Sequence, residues 1–263
     1  MSLFTRLVLS CGLFLGIAIA LGKIANGYEE PVHLSLTIWL AVTAGFSDND
    51  AFQLGRFDQA TDDDSDTTPM APHHFKERGL YHAFDGPQAV RKLEAQVKCD
   101  RGTITIPQFR GVGHYHHALE DQFAHRCCGA VLGQLLVGAG PDKPWYAPRD
   151  FVEMVNRKFE ALLELRRKCK AASSTEITVA RSRFEQAKAL LDRWASEAFE
   201  FSAEDEGNQA RWQDLIRSLY GADYVKYAET YVNAYRDLRR TPPTPGPSGP
   251  VPVPAPPSGG TIR

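Results

Sequence analysis

The segment GHYHHALEDQFAH, Gly113 to His125, carries His117, Asp121 and His125 at four-residue intervals. At 3.6 residues per turn each interval advances only about 40° round a helix axis, so the three side chains form one stripe. Two imidazoles and a carboxylate on one rigid face are the components of a zinc or similar site. They span about 12 Å along the axis, too far for one ion to reach all three. The spacing therefore predicts a cluster, with Asp121 central and bridging. Four histidines stand between His114 and His125, flanked by apolar Ala118, Leu119 and Phe123. A face of ordinary core histidines does not account for that density; His114 and His116 are read as supporting donors or exposed groups.

One helix cannot complete such a site, so other segments must contribute. The upstream candidates are His33, the run Asp62-Asp63-Asp64, and His73, His74 and His82. A histidine at the start of an apolar helix, such as His33, is costly to bury without a partner. The acidic run taken alone reads as a solvated loop or a calcium site. Neither reading explains why histidines cluster in the loop that follows it.

The elements that must position these residues are helical. His33 to Ala44 is an apolar stretch closed by Gly45, a residue suited to a helix C-cap. Ser47 or Asp48 opens a second segment, with Ala51, Leu54 and Phe57 at helical spacing, running to the acidic cluster. Pro69 to Pro72 interrupts, and Pro87 to Val97 reads as a short helix. Thr103 to Pro107 is the one candidate strand, too short to found a sheet. Gly113 then leads into the helix bearing the central motif. Asp150 to Lys168, Ser174 to Phe201 and Gln209 to Leu238 continue the helical periodicity, the last with a break near Gly221. Asp150 and Ser174 are the expected N-caps. The fold class expected is all-α, a single-domain multi-helix bundle over residues 28–240.

Both ends stand apart from this body. Arg6, the apolar run Leu7 to Leu21 and the small-x-small tripeptide Ala18-Ile19-Ala20 make residues 1–27 a signal peptide or an N-terminal anchor. The expected location is therefore exported, periplasmic or secreted, with membrane attachment through this segment as the alternative. Residues 241–263 are dense in proline and glycine and read as a disordered tail. Export leaves Cys99, Cys127, Cys128 and Cys169 in an oxidising compartment, so one or two disulfides are expected. Adjacent Cys127 and Cys128 do not pair with each other, so each should seek Cys99 or Cys169. The absence of C-x-x-C spacing disfavours a zinc-thiolate site. A formal net charge of −2 gives no polyanion-binding character, which makes nucleic acid the less favoured partner.

The order of these residues resembles the zinc-dependent phospholipase C superfamily, all-α enzymes that include the single-strand zinc nucleases. That family runs from an early helix histidine to an aspartate after the next helix, a loop histidine, and then the central motif. His33 in VHLSLTIWLAVTAGFS, Asp62 in DQATDDD and His82 in LYHAFDG resemble the upstream positions; Asp63, His73 and His74 are alternatives. His117, Asp121 and His125 resemble the central motif, and the likeness covers Val32 to Pro144.

Two departures matter. Relatives place another histidine in a G-H-x-P-D-x-P context, where this chain has Ala139 in GAGPDKP. The N-terminal tryptophan ligand of the phospholipases is also missing, Tyr28 being the nearest aromatic residue. The resemblance implies one to three zinc ions on His33, Asp62, His82, His117, Asp121 and His125. Their chemistry would be hydrolysis of a phospholipid head group or related phosphoester by metal-activated water, with Asp63 as general base. The alternative it implies is a degenerate, non-catalytic relative that keeps a metal-stabilised scaffold and acts as a binding protein.

Overall fold

Pro31 in the first turn, with an apolar run behind it, starts the first helical segment. Pro31–Leu36 winds as a π-helical stretch and passes directly into α1 (Thr37–Thr43). Gly45, at φ +89°, takes the left-handed turn that ends it. α2 (Asp48–Asp63) begins on the Ser47 hydroxyl, which accepts the Asp50 amide hydrogen bond at 3.2 Å. There follow α3 (Pro87–Glu94), α4 (Ile106–Ala124), α5 (Pro148–Lys170), α6 (Ser174–Glu197) and α7 (Asp205–Tyr220). Gly221 breaks the last run at φ +54°. The chain then passes through a 3₁₀ turn (Gly221–Asp223) and a π-helical stretch (Val225–Thr230) into α8 (Tyr231–Arg240).

The computed structural model describes residues 30–64, 66–68, 79–83, 85–100, 102–126, 143–197 and 205–240. The expected leader, His73, His74, Cys127, Cys128, Ala139 and the proline-rich tail lie outside these residues. Among the described residues the fold is all-α, and no helix is long and apolar enough to cross a membrane.

α2 makes its broadest contact with α4. At Gly113 of α4 the two backbones meet so closely that a Cβ would fall 2.4 Å from the Phe57 carbonyl carbon. On its other side α2 carries Gly55, where a Cβ would lie 2.7 Å from the Leu34 carbonyl oxygen. These two glycines press α2 between the Pro31–Leu36 stretch and α4. α5 closes the core with Phe151, Met154, Val155, Phe159 and Leu162, all buried. Edge-on contacts among Phe151, Trp194 and Trp212, with ring centroids 5.2 to 5.6 Å apart, join α5, α6 and α7. The Trp39 indole N–H donates to the Leu219 carbonyl at 2.9 Å and the Tyr220 hydroxyl donates to the Ser35 carbonyl. Those bonds pin the end of α7 to the first helical segment.

Several local expectations change. Thr103 to Pro107 is not a strand: Asp100 and Thr103 form an isolated bridge, and Ile106 and Pro107 open α4. The Thr105 amide donates to Gln108 Oε1 at 2.8 Å, and proline suits the first turn, where its missing N–H has no intrahelical partner. Gly113 is therefore inside α4 rather than ahead of it. Asp150 lies in the first turn of a helix that starts at Pro148. Ser173, not Ser174, caps α6: its hydroxyl accepts the Glu176 amide at 3.3 Å, and the Glu176 carboxylate accepts the Ser173 amide at 2.8 Å. The disulfide pairs Cys99 with Cys169, Cα atoms 5.5 Å apart, which corrects the expectation that Cys127 and Cys128 take these two partners.

Two measurements check this packing. Alanine is favoured over glycine by about 1 kcal/mol inside a helix. Gly113→Ala should nevertheless destabilise by about 1–3 kcal/mol in urea unfolding, because the added methyl meets backbone that cannot rotate away. A gain in stability would mean that α2 and α4 do not approach this closely. The Cys99–Cys169 bond closes a 70-residue separation. The double variant Cys99→Ser/Cys169→Ser should lose about 2–4 kcal/mol, read as a lower denaturation midpoint at unchanged helicity.

Candidate metal centre

Because α2 lies against α4, the last two turns of one helix face the middle of the other. Asp58 and Asp62, one turn apart on α2, point toward His117, Glu120 and Asp121 on α4. His33 joins them from the π-helical stretch, and His82 from the turn that precedes α3. Lys158 reaches in from α5. His33, Asp58, His82, His117, Glu120, Asp121 and Lys158 are all fully buried, and Asp62 is 8% exposed.

The nitrogen atoms have defined roles. His82 Nε2–H donates to the Thr67 carbonyl at 2.9 Å, which turns Nδ1 toward the cluster. That Nδ1 lies 3.0 Å from Asp121 Oδ2 and 3.1 Å from His117 Nε2. His117 Nε2 is in turn 3.3 Å from Asp121 Oδ2 and 3.4 Å from Asp62 Oδ1. His33 stacks on His117 with centroids 4.0 Å apart. Its Nδ1–H donates to Glu120 Oε2 at 2.6 Å, turning Nε2 toward Asp121 Oδ1 at 3.6 Å and Asp62 Oδ2 at 3.8 Å.

This donor set fits a divalent cation. His33 Nε2, Asp62 Oδ1, Asp121 Oδ1, Asp58 Oδ1 and His117 Nδ1 are buried without an aligned hydrogen bond. Buried polar atoms left in that condition are rare and costly, and here they converge. Asp58 Oδ1 does lie 3.3 Å from Nδ1 of both His33 and His117, close enough for charge attraction but without hydrogen-bond alignment. Three triples bring ligating atoms within 4.8 Å of one another: Asp62, His82 and His117; His33, His117 and Asp121; and His33, Asp58 and Glu120. The histidine whose second nitrogen is held by a carboxylate, as His33 is by Glu120, is the usual form of a metal-binding imidazole.

The electrostatics express the same crowding of negative charge. Four carboxylates, Asp58, Asp62, Glu120 and Asp121, share this interior with one ammonium, that of Lys158, which pairs with Asp58 and Glu120. Burial and neighbouring His117 disfavour a proton on His33, yet Glu120 and Asp58 outweigh them and lift its pKa to about 10. Burial likewise opposes the His117 imidazolium, and Asp121 and Asp62 override it, carrying the group well above its ordinary value. Against the same desolvation, Lys158 holds Asp58, and His117 holds Asp121, well below the carboxylate range. Burial, then the proximity of Asp58, raises Glu120.

Of the six ligands expected from sequence, five come together here: His33, Asp62, His82, His117 and Asp121. The sixth, His125, does not join the three triples. α4 ends at Ala124, and His125 is its C-cap, about one turn past Asp121; burial lowers its pKa. Asp63 also stands apart. One residue on from Asp62 turns the side chain about 100° round α2. Its carboxylate accepts the Tyr235 hydroxyl and pairs with Arg239 at 2.9 Å, tying α2 to α8. His116 is neither exposed nor a donor to the site. It is buried on another face of α4 beside a small cavity lined by Cys99 and Cys169, and burial depresses its pKa to about 3.

Three members were not anticipated: Asp58, Glu120 and Lys158. Asp58 precedes Asp62 by one helical turn, and Glu120 follows His117 by three residues, so each shares a face with a ligand that was expected. Lys158 sits at helical spacing within the apolar stripe of α5, between Met154 and Leu162. A lysine on a core-facing stripe was the signal available for it. No family model, curated protein or solved structure matches this chain.

If Glu120 orients His33 as a ligand, Glu120→Gln should weaken zinc binding by about 10–100-fold in a chelator competition, with circular dichroism unchanged. Unaltered affinity would remove Glu120 from the support of the site.

Proposed function

We propose that this chain is an exported metal-dependent phosphoesterase that acts on a phospholipid head group or a related phosphodiester. One observation carries the reading: imidazole and carboxylate atoms from three separate segments converge, buried and without hydrogen bonds, at a single place, and His82 reaches the same place from a fourth. Asp62, His82, His117 and Asp121 are the residues that would hold a zinc ion, and Asp121 with His33 offers a second position. A divalent ion held there supplies a water of lowered pKa and polarises phosphoryl oxygens. The protein's part is to hold its ligands in the binding tautomer, through the Thr67 carbonyl for His82 and Glu120 for His33. It also excludes bulk water, since every one of these groups is nearly or fully buried. The resemblance of the sequence to the zinc-dependent phospholipases supports phosphoester chemistry. The near-neutral charge supports a small head group over nucleic acid, and the Cys99–Cys169 disulfide supports an oxidising location.

A second reading has its own support. Ala139 stands where the resembling family has a histidine, and the ligands are as buried as a structural site requires. On that reading the cluster is a metal-stabilised core of a binding protein.

Elemental analysis and phosphodiester assays separate the two. The purified protein should carry about one or two zinc ions. It should also cleave a chromogenic phosphodiester or a phosphocholine ester, with Asp121→Asn and chelation each lowering the rate about 100-fold or more. Metal without hydrolysis selects the binding protein. Absence of metal sinks both readings.

A further inference from the structure

We propose that Lys158 is the resident cation of a third ion position, formed by Asp58, Glu120 and His33, and that its ammonium keeps divalent ions out of that position. An ammonium has three N–H donors and no acceptor. Lys158 Nζ spends them on three oxygens, donating to Asp58 Oδ2 at 2.5 Å, to Glu120 Oε1 and to Thr37 Oγ1. The lysine and both carboxylates are fully buried and Thr37 is 1% exposed, so no water competes for these bonds. Asp58, Glu120 and His33 have the spacing that would hold a metal ion, and Asp58 Oδ1 is buried without a hydrogen bond. Lys158 supplies the positive charge that this triple demands.

The arrangement also makes Lys158 a positioning residue for the metal centre proposed above. Each carboxylate has two oxygens, and each divides them in the same way. Glu120 gives Oε1 to Lys158 and Oε2 to His33 Nδ1. Asp58 gives Oδ2 to Lys158 and turns Oδ1 toward Nδ1 of both His33 and His117 at 3.3 Å. Both histidines thus have Nδ1 committed to the lysine side and Nε2 directed toward Asp62 and Asp121. The cluster is polarised from α5 inward: ammonium, then two carboxylates, then two imidazoles, then the face available to an added ion. The carboxylates on the lysine side are consequently spoken for, and added metal is confined to the other side.

Zinc counting on the wild type and Lys158→Met tests this, because methionine retains much of the apolar stem while removing the charge. After loading with zinc and desalting, Lys158→Met should retain about one more ion per chain than the wild type. Its melting temperature should also rise more on zinc addition. Equal counts with equal shifts would overturn the proposal. If the variant does not fold, wild-type crystals soaked in zinc decide the matter through anomalous scattering. Zinc between Asp58 and Glu120 overturns it; zinc confined to the Asp62, His82 and Asp121 side supports it. The proposal builds on the metal-centre reading, but the two fail separately. A wild type that binds no zinc sinks that reading, while the Lys158→Met comparison still judges the lysine.

Discussion

Between α2 and α4 the backbones meet at Phe57 and Gly113 with no room for a side chain on α4, and the positions of the ligands on both helices follow from that contact. Had α4 carried a Cβ there, the helices would stand apart by the width of a methyl group, and carboxylates on one would no longer reach imidazoles on the other. Gly55 repeats the device against the Leu34 carbonyl, bringing His33 within reach of the same place. Helices ordinarily keep 8–10 Å between their axes, set by the side chains at the crossing. Here α4 presents only the hydrogen of Gly113 at the crossing, and the polar groups one and two turns further on close the gap.

Close packing creates a problem of charge. Four buried carboxylates cannot share one pocket unless cations or protons offset them, because desolvated like charges repel strongly. The protein contributes one fixed cation, Lys158, and two imidazoles that the surrounding carboxylates drive toward the protonated form. Protons and metal ions compete for the same nitrogen lone pairs. The groups that bind an ion most readily are therefore those the protein can also neutralise by itself.

Much of the scaffold was legible in the sequence for local reasons. Caps and breakers such as Ser47, Gly45 and Gly221 act within a few residues of themselves, and the helices they bound fall close to where the periodicity puts them. The site was legible where residue type was unusual for its setting, as with His33 in an apolar run and His117 and Asp121 at a four-residue interval. Asp58 and Glu120 were not, since a charged residue on a helix is normally solvated and only the α2–α4 contact makes these two interior. Lys158 could be recognised only by placing it on the stripe of α5 that faces the core. His125 lies one residue beyond the helix end, close enough to feel the charge of Asp121 but outside the three triples. Asp63 is turned by helical rotation away from the face of Asp62, toward Tyr235 and Arg239 of α8.

The spans of chain that the cluster joins also govern how the molecule can assemble. His33 meets Glu120 across 87 residues, Lys158 meets Asp58 across 100, and Lys158 meets Thr37 across 121. Contacts of that separation form only after long loops have closed, which is slow relative to helix formation. The helices can therefore exist before the polar interior does, with their carboxylates still hydrated. Asp58 and Glu120 gain their buried ammonium only where α5 docks over the other three segments. A chain with α5 out of register would leave Asp58 and Glu120 buried without the Lys158 ammonium, so the cluster favours the native register of α5 over its neighbours.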